Sequence, residues 1–312
     1  MNVTLDEYIK QKHYRLINSV LLYKENELIL EHFYNGFDEE SRNPIMSISK
    51  SIISICTGIC LDQGLIKSLD EPICHYIEEF DKGISPYHKL ITIRHLLTMT
   101  SGIYWNGGIH YHSPMLEQLK RSSNWLEHLA DIAMSDVPGM KFVYKEWDVI
   151  LLAAVISKAA RTDFFDVCNG NLYQPLEIES GRWWQSKCGV TYSIADNEVN
   201  QQSSNLSAKD LAKIGMLLLN GGVYKGKQIV SKEFVEQAIT PSDCNQEYGF
   251  LWWLGENWYG GSGFGGQEIR VIPDKKIVIV MQAKISSRGK SYEDVMEYLL
   301  EYRIDGKIEE FI

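Results

Sequence analysis

PIMSISKSIISICTGICLDQGLIKSLDEPI, residues 44–73, is the stretch on which the fold turns. After Pro44, residues 47–63 have a helical pattern that is apolar on nearly every side, so the helix is expected to be buried. Gly64 is a natural stop. Ser47-Ile48-Ser49-Lys50 matches S-x-x-K at the head of that helix. A spacing of three puts the hydroxyl and the amine on one face. A serine at a helix N-terminus also has its own N–H unpaired, available to an oxyanion, and the helix dipole favours negative charge there. A lysine beside it can take the serine proton if burial lowers its pKa. The tetrapeptide alone also fits an ordinary capped helix. What favours chemistry is the setting, because a lysine on a fully buried helix needs a reason to be there.

Outward from this helix the pattern is β at both ends and α in the middle. Residues 17–34 read as a hairpin around a Lys24-Glu25-Asn26 turn. From about 90 to 221 the signal is mostly helical. ITIRHLLTMTSG is a short helix ended by Gly102, Pro138-Gly139 is a turn, and KFVYKEWDVILLAAVISKAA is a long helical pattern. LSAKDLAKIGMLLLNGG begins at a Ser207 N-cap and stops at Gly221-Gly222. YGFLWWLG, GGQEIRVIP and KKIVIVMQAK then read as strands, and YEDVMEYLLEYR as a final helix. The expected fold is α+β, an α/β sandwich whose mostly antiparallel sheet is built from both termini. The sheet part takes residues 1–75 and 222–312 and an inserted helical part takes 76–221, within one catalytic domain. A site is expected in the cleft between the two parts.

The 312 residues are 45% hydrophobic and 23% charged, as in an ordinary globular protein. Seventeen Tyr and eight Trp suit a deep cleft or a thick aromatic core. With 31 basic and 41 acidic residues the net charge is −10, and no basic run resembles a phosphate-binding stripe. Nucleic acid and anionic membranes are therefore poor partners. The N-terminus MNVTLDEYIKQKHYRL lacks the apolar core of a secretory signal, and no stretch is long and apolar enough to span a bilayer. A cytoplasmic protein is expected, with Cys56, Cys60, Cys74, Cys168, Cys188 and Cys244 as thiols. Cys56 and Cys60 read as small buried side chains. His110 and His112 lack further ligands around them and read as solvated loop residues rather than a metal site.

Five segments in order carry a resemblance: the quoted stretch, ITIRHLLTMTSGI, PGMKFVYKEWDVILLAAVISKAA, NLSAKDLAKIGMLLLNGGVYKGKQIVS and GGSGFGGQEIRVIPDKKIVIVMQ. Together, over roughly residues 17–285, they resemble the serine β-lactamase and penicillin-binding-protein-like superfamily. More narrowly they resemble its class C β-lactamase-like esterases and amidases, including 6-aminohexanoate-oligomer hydrolases. The resemblance implies a β-lactamase/transpeptidase-like fold, with Ser47 as nucleophile, Lys50 as its base and Tyr144 sharing proton transfer. It places Gly261-Ser262-Gly263 on the strand bordering the cleft, where relatives carry Lys-Thr-Gly, and implies that Phe264 gives the second oxyanion N–H beside that of Ser47. Tyr104 and Trp105 are candidates for the pocket wall, or plain packing aromatics.

Two departures stand out. Tyr-x-Asn is replaced by Tyr144-Lys145-Glu146, and a carboxylate near Lys50 would hold it as an ammonium. Either Glu146 points elsewhere or Tyr144 takes more of the base role. Asp148 is a second candidate polar residue facing substrate. Gly261 also removes the cation that holds the substrate carboxylate in β-lactam-processing relatives, which favours an ester or small amide lacking that carboxylate. The expected activity is hydrolysis of such a substrate through an acyl-enzyme on Ser47, with no metal or organic cofactor implied and the oligomeric state open. The alternatives are a β-lactamase or D-alanyl-D-alanine-peptidase activity, and a non-catalytic binding or sensing module of the same fold.

Overall fold

The computed structural model describes residues 4–108, 113–192, 204–286 and 290–303; His110 and His112 lie outside them. The chain opens with α1 (Leu5–Gln11), capped by a reciprocal Thr4–Glu7 box. The hairpin of β1 (Ile17–Lys24) and β2 (Glu27–Phe33) follows as expected. Glu25 and Asn26 turn it with φ of 53° and 70°, the left-handed pair that matches strand twist in a two-residue loop. A short β3 (Arg42–Pro44) leads into α2 (Ile48–Asp62), in which every residue from Ile48 to Cys60 is buried. Gly58 lets the ring of Phe234 press onto this helix, since a Cβ there would lie 2.3 Å from a ring carbon. Gly64, at φ +70°, ends it.

The middle of the chain supplies α3 (Ile93–Leu97), α4 (Pro114–Arg121), α5 (Trp125–Ala130), α6 (Glu146–Ala160) and α7 (Phe164–Cys168). Small pairs punctuate it: β4 (Trp184–Gln185) with β5 (Thr191–Tyr192), and β6 (Asn205–Ser207) with β3. Then come α8 (Ala208–Leu219), the β7 (Val223–Tyr224) and β8 (Lys227–Gln228) pair, and α9 (Lys232–Ala238). Ser207 caps α8 as expected, in a reciprocal box with Asp210. The last strands are β9 (Trp253–Leu254), β10 (Tyr259–Gly263), β11 (Gln267–Ile272) and β12 (Ile277–Ala283), before α10 (Glu293–Arg303).

One antiparallel sheet, in the order β2-β1-β12-β11-β10-β9, joins both ends of the chain as expected. Its two faces are covered differently. Leu5 and Ile9 of α1 with Val295, Met296 and Leu299 of α10 close one apolar layer, and α2 and α8 pack on the other and carry its core into the helical block. Because both faces are covered, β12 is buried at all seven residues and reads as an unbroken apolar run. Gly215 lets α8 settle on the sheet; a Cβ there would lie 2.5 Å from Val278 Cγ1. No described helix is long and apolar enough to cross a membrane, and all six cysteines are free thiols.

Three element boundaries differ from the sequence reading. The short helix of ITIRHLLTMTSG ends at Leu97, five residues before Gly102, because Met99 takes a φ of 56° and the Thr98 hydroxyl returns to the Arg94 carbonyl at 2.8 Å. The helix containing WDVILL starts at Glu146 rather than near Lys141, since Lys145 is extended at φ −153° and Val143 N–H bonds the Met99 carbonyl instead. In YGFLWWLG only Trp253–Leu254 is strand; Leu251 sits at φ 63° and turns the chain.

Candidate active site

The nucleophile candidate stands on a tight turn. Ile45 N–H bonds the Ser204 carbonyl at 3.1 Å, Met46 follows at φ 53°, and Ser47 begins α2. A left-handed non-glycine residue is costly, and such strain collects where a side chain must be aimed. Ser47 does not use its hydroxyl to cap α2. The Ser47 side chain instead lines a cavity of about 350 Å³ together with Tyr144, Trp253, Ser262, Phe264 and Glu268. Among the described residues its backbone N–H has no hydrogen-bond acceptor, as expected at a helix start.

One turn on, Lys50 is only 1% exposed. Its ammonium donates to Ser47 Oγ at 3.2 Å and to both Glu146 oxygens, at 2.8 and 3.0 Å. The first of the two possibilities for Glu146 is therefore ruled out: Glu146 points at Lys50. Burial alone would lower the Lys50 pKa, but the Glu146 carboxylate and the Tyr144 hydroxyl outweigh it and hold the group above its usual value. Lys50 is thus an ammonium at neutral pH.

Tyr144 owes its position to the late start of α6. As part of the extended lead to that helix it reaches the cleft, with its ring 5.3 Å from Lys50 Nζ. It stacks on Trp253 at 5.7 Å and meets Tyr248 edge-on at 6.1 Å, so the ring is fixed on two sides.

Strand β10 forms the opposite wall, and its glycines have a steric reason. A Cβ on Gly263 would lie 2.5 Å from the Ile45 carbonyl oxygen, so only glycine lets the strand approach the nucleophile turn. A Cβ on Gly261 would come 3.0 Å from Ser51 Oγ, so α2 occupies the space into which a side chain there would extend. Ser262 points into the cleft and donates to Glu268 Oε1 at 2.8 Å.

Three expected site residues are elsewhere. Asp148 is 0% exposed and accepts from the Ser101 hydroxyl at 2.5 Å, away from the cavity. The reason is helical geometry: Glu146 and Asp148, two positions apart, face opposite sides of α6. Tyr104 is 47% exposed, and Trp105 packs edge-on against Trp147 at 4.6 Å; neither lines the cavity at Ser47. Conversely, the cavity wall includes Trp253, Glu268, Lys290 and Ser291, which the sequence reading did not select. Glu268 had a signal: Glu268 and Arg270 alternate with apolar residues in an otherwise buried strand. Among the described residues no cluster of three or more His, Cys, Asp or Glu side chains could hold a metal ion.

A hydroxyl at a helix start, a buried ammonium beside it, a phenol across from it and a close strand edge make an arrangement suited to acyl transfer. Known proteins resemble this chain in sequence or share its fold. The 6-aminohexanoate-dimer hydrolase of Paenarthrobacter ureafaciens is 22% identical over 299 residues, covering 86% of this chain and 72% of that protein. EstCE1, described as a hydrolase with promiscuous acyltransferase activity, superposes with a TM-score of 0.73 at 16% identity, covering 95% of each chain. The penicillin binding protein from Bacillus halodurans superposes with a TM-score of 0.72 at 19% identity, covering 95% of this chain and 99% of that one. The Beta-lactamase family model matches residues 5–302, nearly the whole length, and the chain belongs to that family of serine-hydrolase fold.

Proposed function

We propose that the protein hydrolyses an ester or small amide through an acyl-enzyme on Ser47. The observation that carries this reading is the buried Lys50 ammonium, anchored by Glu146 and 3.2 Å from the Oγ of Ser47, which itself lines an open cavity. In this reading Ser47 Oγ bonds to the substrate carbonyl carbon. The oxyanion forms between the N–H groups of Ser47 and Phe264, at the positive end of α2. Tyr144, acting in its phenolate form beside the Lys50 ammonium, takes the Ser47 proton to become the phenol and then delivers that proton to the leaving group as the carbonyl re-forms. Water then attacks the acyl carbon, gives its proton back along the same path, and releases Ser47 and the acid. Lys50, kept cationic by Glu146, supports the negative charge that passes over the Ser47 and Tyr144 oxygens. The base role thus rests more on Tyr144 than the S-x-x-K pattern alone suggests.

Ester or amide substrates are favoured over β-lactams or D-alanyl-D-alanine peptides. No cation stands at position 261, and Ser51 occupies the space beside it. Turnover of p-nitrophenyl acetate that disappears in Ser47→Ala is the expected result. Unchanged turnover in that variant defeats the assignment. Nitrocefin hydrolysis at a comparable rate would move the substrate class to β-lactams. Absence of any turnover or fluorophosphonate labelling in the wild type would leave a binding module.

A further inference from the structure

One half-buried ionisable group in the cleft has no part in these steps. Glu268 lies on β11 directly opposite Ser262 of β10 and accepts its hydroxyl proton at 2.8 Å. It lines the cavity of about 350 Å³ that holds Ser47 and Tyr144. It also lines an adjoining cavity of about 390 Å³ whose walls include Trp253, Trp258, Gly261 and Arg270. The two share Trp253, Ser262, Glu268 and Ser291, so a groove runs from the nucleophile along β10 with Glu268 at its waist.

The charges facing this groove do not neutralise Glu268 by pairing with it. Arg270, 2% exposed, is tied to both oxygens of Glu293 at 2.6 and 2.8 Å and lies 4.0 Å over the Trp258 ring. Lys290 stands on the rim with its ammonium 4.1 Å from the Tyr14 ring centroid. Glu247 is on the far wall. The wall that lacks a cation at Gly261 therefore presents a carboxyl, flanked by two indole rings. Carboxylate plus aromatic faces is the chemistry that receives a cationic alkylammonium.

We propose that Glu268 is a specificity-determining residue that receives an alkylammonium group carried on the acyl or leaving-group arm of the substrate, with Trp253 and Trp258 covering the adjoining carbons. This rests on the acyl-enzyme reading of Ser47 and names the substrate class within it. Burial pushes the Glu268 carboxyl up to about 7, and Glu293 adds to this, while the Ser262 hydrogen bond and Arg270 oppose it. Ammonium binding needs the ionised form, so preference for a cationic substrate rises as pH passes through that value.

The test uses two isosteric pairs. Acetylthiocholine against 3,3-dimethylbutyl thioacetate places the cation on the leaving group. p-Nitrophenyl 4-(trimethylammonio)butanoate against p-nitrophenyl 5,5-dimethylhexanoate places it on the acyl group. In at least one pair wild type should favour the cationic member by about tenfold in kcat/KM, mainly through KM. In Glu268→Gln that ratio should fall to near one and lose its pH dependence. No preference in either pair, or a ratio that Glu268→Gln leaves intact while slowing both members, overturns the proposal. A second measurement is independent of turnover: calorimetric binding of benzyltrimethylammonium to Ser47→Ala and to Ser47→Ala/Glu268→Gln. Binding that needs Glu268 supports the subsite even if no ester is hydrolysed, which would count against the acyl-enzyme alone. No binding, or equal binding to both, overturns the subsite whatever the esters show.

Discussion

Two nearly identical sets of side chains lie back to back in this protein. Around Ser47 stand Lys50 and Glu146; around Ser101 stand Lys145 and Asp148. Each has a serine hydroxyl, a lysine about 1% exposed and a buried carboxylate. In the second set Lys145 Nζ donates to Ser101 Oγ at 3.1 Å and to the Ile103 carbonyl at 3.1 Å, and Asp148 accepts from Ser101 at 2.5 Å. Lys145, Glu146 and Asp148 lie together at the start of α6, which feeds Glu146 to the first set and Lys145 and Asp148 to the second. What separates them is access. Ser47 opens onto a cavity and heads a helix, whereas Ser101 is 0% exposed and fastens the turn after α3 to α6. Burial and pairing make a charged group stable; only the first set also offers a place for a carbonyl.

The largest expected difference between the two sets comes from their lysines. Lys50→Met should lower ester turnover by about a thousandfold. Lys145→Met should leave turnover per folded molecule intact and cost about 3–5 kcal/mol in denaturant unfolding, because it strands Asp148. If Lys145→Met abolishes catalysis in folded protein, the division between the two sets is wrong. The carboxylates sharpen it through pH. Glu146→Gln removes the charge that keeps Lys50 protonated, so burial is left to lower the Lys50 pKa. The cation that supports the Ser47 and Tyr144 oxygens is then lost at lower pH, and the alkaline limb of the rate profile should move down by about one unit or more. Asp148→Asn should leave that limb where it is. An unmoved profile in Glu146→Gln would mean that the Lys50–Glu146 pair does not govern the reacting protons.

Smaller effects follow on the strand side. Gly263→Ala puts a methyl against the Ile45 carbonyl, where a Cβ would lie 2.5 Å away, and should cost about 1–3 kcal/mol as well as slowing acylation. Wild-type stability with this alanine would show that the close approach of β10 to the nucleophile turn is not needed. The smallest effect is at Glu268. Its folded pKa, about 7, is above the ordinary carboxylate value, so its contribution is full below that ordinary value and is lost as pH rises through about 7. Between about pH 5 and about pH 8 the wild type should therefore lose roughly 2 °C of Tm relative to Glu268→Gln. Parallel Tm curves for the two proteins would contradict that burial.

Residues 44–73 held much of this in readable form. The Ser47–Lys50 face needs only helical spacing, and the apolar wrap of α2 requires a buried lysine. The sheet built from both ends was legible from the hairpin and the β12 run. Other parts depended on phase and on distant pairing. The orientation of Glu146 followed from α6 starting five residues later than the apolar pattern indicates, because Val143 N–H bonds the Met99 carbonyl, a partner outside the segment. Asp148 shares the first turn of α6 with Glu146 yet faces the other way, because positions two apart on a helix point to opposite sides. Glu268 joins the site through its cross-strand pairing with Ser262, which no local pattern contains. Aromatic richness in YGFLWWLG looked like strand but serves as wall, with Trp253 supporting Tyr144.

The most direct test of the central claim is covalent. Wild type and Ser47→Ala are treated with a fluorophosphonate, digested, and the peptides read by mass spectrometry. The account predicts one adduct, on the Ser47 hydroxyl, absent in Ser47→Ala and formed at least about a hundredfold more slowly in Lys50→Met. No adduct on the folded wild type, or an adduct on Ser101 or another residue that persists in Ser47→Ala, would contradict it.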